Sequence, residues 1–117
     1  MTELTPGRVI WADLGQTVGR EQRGRRPAVV VSTRDHLTGA DTLVTVVPCT
    51  RRQHHWANHV ELVGPTQLSV VSFAMTEQIR TLSRQRIHRM AGYVSIDCLH
   101  AISRWLTTWH VPGTITA

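Results

Sequence analysis

Three residues carry the most chemical scope in this sequence: Arg26, Thr50 and Glu77. Arg26 immediately precedes Pro27 at the mouth of a valine-rich run. There its planar guanidinium can hold two phosphate oxygens as negative charge builds on them. With a pKa above ~12, arginine is an awkward proton donor, so electrostatic stabilisation suits Arg26 better than acid catalysis. Thr50, two residues past Pro48, offers a hydroxyl that can donate to a phosphate oxygen. Glu77 lies in a stretch with strand character. Alternation puts it on one face with Phe73, Met75 and Ile79, and apolar neighbours raise a carboxyl pKa towards neutrality, where a general base works well. Each residue also has a plain structural reading. Arg26 can pair with a surface acid, Thr50 can form a turn, and Glu77 can pair with Arg26 or Arg80.

The surrounding composition favours a polyanionic partner. The chain has 117 residues, and its 13 basic side chains are all arginine, for a formal net charge of +5. Guanidinium forks suit bidentate phosphate contacts, although a GC-rich coding sequence also replaces lysine with arginine. Cys49 and Cys98 stand far apart with no C-x-x-C pair, so they read as reduced thiols rather than as a disulfide framework or zinc module. No cofactor or metal is expected. The longest apolar runs, 28–31 and 43–47, fall far short of the ~20 residues of a membrane span, and the N-terminus lacks a basic-then-apolar leader. These features predict a soluble, cytoplasmic protein forming one domain over residues 1–117.

The elements that must position these side chains are mostly strands. Residues 8–14 alternate in polarity and end at Gly15, which predicts a strand half buried against a core. Residues 15–26 hold three glycines and four arginines without periodicity and read as a long loop, a frequent location of function in small domains. Pro27 opens a β-branched run over 28–33 that suits a strand buried on both faces. Residues 42–48 repeat that chemistry until Pro48 should end regular pairing. Residues 53–58 read as loop and 59–62 as a short strand. Gly64 and Pro65 mark a turn, and 69–82 reads as two closely spaced strands or one bent one. Ile96, Leu99, Ile102, Leu106 and Trp109 follow helical spacing behind a Ser95 N-cap, with Asp97 favourable near the positive helix end. Several short strands and one closing helix, without a βαβ rhythm, predict a small antiparallel β-barrel-like sheet with a C-terminal α-helix.

Three ordered segments, Gly7 to Leu14 with Trp11, the E-Q-R-G-R-R-P-A-V-V-V-S run at 21–32, and E-Q-I-R-T at 77–81, together with P-C-T at 48–50, resemble the MazF/PemK family of toxins. The resemblance extends from Gly7 to the final helix. It implies an SH3-like barrel of the MazF/PemK/CcdB type assembled as a homodimer. The implied activity is metal-independent cleavage of single-stranded mRNA at short motifs through the RNA's own 2′-hydroxyl. It also implies a cognate acidic antitoxin whose tail covers the same basic groove, an electrostatically sensible occlusion.

Such cleavage requires a proton acceptor for the 2′-hydroxyl, donors to steady the pentacoordinate phosphate, and help for the departing 5′-oxygen. The resemblance gives the arginine before proline, Arg26, a catalytic role, and Thr50 corresponds to the threonine after the P-x step. Glu77 is the candidate base, although some members carry an arginine two positions before this acid where this chain has Met75. Arg20, Arg23, Arg25, Arg51 and Arg52 would put positive charge on one loop-lined surface and give salt-dependent affinity for RNA, while Gln22 and Gln78 can read base edges. Trp56, flanked by His54, His55 and His59, can stack on a splayed base or cover a barrel end. The segment 53–59 departs most from the family pattern. His55 and His59 have i,i+4 spacing, but strand-like neighbours argue against the helix that a metal-binding pair of this kind requires. Trp105 and Trp109 read as core or dimer-interface residues. The alternative reading is a non-enzymatic toxin of the same fold that inhibits DNA gyrase, or an RNA-binding module.

Overall fold

The computed structural model describes residues 4–15 and 24–112. Its strands are β1 (Arg8–Asp13), β2 (Arg25–Val30), β3 (Leu43–Thr50), β4 (His59–Glu61), β5 (Phe73–Met75), β6 (Arg80–Ser83) and β7 (Ile87–Tyr93); its helices are α1 (Arg34–Gly39) and α2 (Ile96–His110). All seven strands join one antiparallel sheet in the order β4-β5-β3-β2-β1-β7, with β6 alongside β3. The expected β-sheet with a C-terminal helix is therefore what forms.

Alternation along the central strands feeds two cores rather than one. Val9, Val29, Val47 and Cys49 face a cluster completed by Cys98 and Ile102 of α2. Ile10, Ala28, Val44 and Val46 face the other, which includes Leu37 of α1 and Leu82. β1, expected to be half buried, is thus buried on both sides. Helix α2 starts where Ser95 Oγ accepts a hydrogen bond from the Cys98 N–H at 3.1 Å. Of its predicted apolar stripe, Leu99, Ile102 and Leu106 pack on the core, whereas Ile96 and Trp109 remain exposed.

Pro48 does not end its strand. β3 continues to Thr50, pairing first with β6 through Val46 and then with β5 from Cys49. On that edge Pro48 falls between the two ladders, where the strand changes partners, while on its other edge it stands opposite Ala28 of β2. The stretch 69–82 resolves into β5 and β6 separated by a 3-10 turn, Thr76–Gln78. Neither α1 nor β7 was anticipated. Beyond β4 the chain crosses to the far edge of the sheet, where Gly92 N–H donates to Thr66 O at 2.9 Å and Tyr93 N–H to Pro65 O at 3.0 Å. The sheet thereby curls into a barrel-like form. The approach demands glycine, since a Cβ on Gly92 would lie 1.8 Å from Pro65 O.

Candidate functional site

The register between β2 and β3 pairs Ala28 with Pro48. Continued by two residues, it brings Arg26 abreast of Thr50, at the place where β2 begins and β3 ends. An open cleft of about 1270 Å³ lies there. Its walls include Arg26, Thr50 and Glu77, and also Arg25, Arg51, Arg52, Trp56 and Gln78. Arg20, Gln22 and Arg23 lie outside the described residues. β2 starts at Arg25, two residues before Pro27, so both arginines belong to the strand rather than to the preceding loop.

Among the described residues Arg26 forms no ion pair, which leaves its guanidinium available to the cleft. Thr50 is nearly buried, and its hydroxyl oxygen accepts the Arg52 N–H at 3.1 Å. Accepting through the oxygen leaves the hydroxyl proton to donate elsewhere. Cys49 also borders the cleft. Burial, reinforced by the neighbouring Cys98 and only partly opposed by Arg26, drives its thiol far above the ordinary range. It stays a neutral thiol and is no nucleophile.

Glu77 departs from the expectation in both position and acidity. It sits in the 3-10 turn rather than on an alternating strand, so Phe73 and Met75 do not share a strand face with it. Asn58 Nδ2 donates to Oε1 at 2.8 Å, and His59 Nε2 lies 3.0 Å from both carboxylate oxygens. Burial alone would raise the carboxyl, but the His59 hydrogen bond, the residue's own N–H, the charge on His59 and the Asn58 bond outweigh it. The net direction is down, opposite to the expected rise. Its ion-pair partner is His59, not Arg26 or Arg80.

The turn itself is held from two sides. Thr76 Oγ1 donates to Asn58 O at 2.8 Å, and His110 Nε2 of α2 lies 2.8 Å from Thr76 O. Above Glu77 stands an aromatic group. Trp56, half exposed, packs its ring 4.8 Å from His59 and 5.0 Å from His54, and His54 meets His59 edge-on at 5.3 Å. The segment is not helical, as expected, because His55 has left-handed backbone (φ 62) and His59 opens β4. Sequence reasoning missed Asn58 altogether and weighed His59 only as a neighbour of Trp56 or a metal ligand. Alternation in H-V-E gave no signal for His59, since it groups His59 with exposed Glu61 and opposite Val60, which packs on the core.

Fold and site together define a small cationic β domain backed by one long helix, with an arginine-lined cleft at its strand ends. Residues 5–110 match the family of PemK-like, MazF-like toxins of type II toxin–antitoxin systems, and the chain belongs to that family. It is 34% identical over 99 residues to the endoribonuclease toxin MazF of Escherichia coli K12, covering 82% of this chain and 84% of that protein. The crystal structure of MazF from Deinococcus radiodurans superposes with a TM-score of 0.73 at 26% identity, covering 90% of this chain and 94% of the other. A MazE–MazF structure from the same organism gives 0.71 at 26% identity, covering 90% and 93%.

Proposed function

We propose that this chain is the toxin of a toxin–antitoxin pair and acts in the cytoplasm as a metal-independent endoribonuclease that cuts single-stranded mRNA at short motifs. The observation that carries the reading, beside family membership, is that Arg26 and Thr50 border one cleft with Arg25, Arg51 and Arg52. In this reading the 2′-hydroxyl of the substrate attacks the adjacent phosphorus. The Arg26 guanidinium stabilises the charge that grows on the equatorial oxygens, and Thr50 donates its free hydroxyl proton to one of them. Arg25, Arg51 and Arg52 hold the backbone, with Arg20 and Arg23 adding to the same charge. Trp56 stacks on a base, and Gln22 and Gln78 read base edges.

An acidic antitoxin segment fits the same cleft for the same electrostatic reason, and two copies of the chain form the working homodimer. No helix among the described residues is long and apolar enough to cross a membrane. The test is incubation of the purified protein with a long single-stranded RNA in excess chelator. Cleavage is expected, and Arg26→Ala should slow it by roughly 10²–10³-fold, the usual loss for one charge-stabilising donor. Absence of cleavage, or cleavage indifferent to Arg26→Ala, refutes the mechanism.

A further inference from the structure

We infer that His59 is the proton acceptor for the attacking 2′-hydroxyl and that Glu77 is its positioning residue, an assignment that rests on the endoribonuclease reading above. The geometry is that of a carboxylate–imidazole pair. His59 Nε2 lies 3.0 Å from both Glu77 oxygens, and Asn58 Nδ2 fixes one of them at 2.8 Å. A carboxylate so placed keeps the proton on Nε2 and leaves the lone pair on Nδ1. Among the described residues Nδ1 has no partner, although the side chain is only 3% exposed.

Among the described residues one other buried side-chain polar atom lacks a partner, Trp11 Nε1, and Trp11 borders the same cleft. One atom is an acceptor and the other a donor. A ribose-phosphate presents a hydroxyl to the first and oxygens to the second. Glu77 is ill suited to the role itself, since its carboxyl is already hydrogen-bonded and held below the usual range.

In the step, the 2′-O–H bond breaks and its proton passes to Nδ1 while the oxygen's electron pair forms the bond to phosphorus. The P–O5′ bond breaks with its pair on O5′, which takes a proton from water. The products are a 2′,3′-cyclic phosphate and a 5′-hydroxyl, and the imidazolium then returns its proton to solvent. Trp56 and His54 lie against the ring, so the proposed step requires the half-exposed indole to move aside for the nucleotide to reach Nδ1. The titratable and charged groups around the imidazole are Glu77 and His54 in contact with it, Arg25, Arg26, Arg51, Arg52 and the neutral Cys49 thiol across the cleft, and His110 behind the turn.

The test measures cleavage of a single-site RNA across pH, in chelator, by the full chain and by His59→Gln. Glutamine keeps an amide donor for Glu77 but has no basic nitrogen. We expect the wild-type rate to fall on the acid side through the range where imidazole protonates. His59→Gln should cut about 10²–10⁴-fold more slowly, without that limb. It should melt like the wild type and bind an uncleavable 2′-deoxy analogue as tightly. His88→Gln, on the exposed part of β7, should cut normally. A His59→Gln protein with the wild-type rate overturns the assignment and leaves the endoribonuclease reading standing. A wild-type rate that is flat through the imidazole range overturns it without any variant. A wild type that cuts no RNA at any pH refutes the underlying reading instead.

Discussion

Glu77 owes its acidity to Asn58 and His59, partners 19 and 18 residues away along the chain. Burial works against ionisation there and is outweighed by these bonds, so the folded carboxyl titrates below its unfolded counterpart. Its contribution to stability is therefore complete above the unfolded value of about 4.3 and is lost as pH falls through the lower folded value. The stability gap between wild type and Glu77→Gln, measured by urea unfolding, should narrow as pH drops below about 4.3. A gap that persists unchanged into strong acid would remove the carboxylate from the network. Arg26 and Thr50 were readable in the sequence because the residues that fix them, Pro27 and Pro48, are next to them or nearly so. The acidity of Glu77 was not, because apolar alternation within its own segment said nothing of an imidazole and an amide arriving from another strand's edge. The same distance hid the inward orientation of His59.

Among the elements, α2 announced itself most clearly, since a Ser cap followed by 3.6-residue apolar spacing has few other interpretations. Its anchoring residue is Ile102, fully buried between the strands that carry Val9, Val29 and Val47. Ile102→Ala should cost about 2–5 kcal/mol, as large-to-small core substitutions do, read as a lowered denaturant midpoint at unchanged slope. The helix also braces the cleft, since His110 reaches the Thr76 carbonyl. The same substitution should therefore reduce activity before the protein unfolds. β7 was illegible for the opposite reason. Its sequence, IHRMAGY, mixes charge, apolar residues and glycine without alternation, and it is a strand because β1 pairs with it through two irregularities of register. α1 is six residues long, too short for periodicity to register. Pro48 misled because a proline's cost depends on which edge of the strand is in demand at that residue, and only the topology reveals that one edge of β3 changes from β6 to β5 there.

At the scale of the molecule, the barrel-like form was legible as a class, from many short strands and one closing helix. The seam that curls it joins Pro65 and Thr66 to Gly92 and Tyr93, some 27 residues apart, and no local pattern encodes that meeting. Gly92→Ala should destabilise the protein by about 1–3 kcal/mol or more, the range for overpacking, because the added methyl meets backbone rather than a side chain that can yield. A thermal melt of the variant checks this, and an unchanged midpoint would show that the seam gives way freely. The seam also has a colloidal consequence. At its outer edge β7 already donates the Gly92 and Tyr93 N–H groups within its own chain, so that stretch cannot template a strand from another molecule. Copies of the chain that associate must do so through other surfaces, and a protein with the seam forced open would be expected to precipitate on warming instead of refolding.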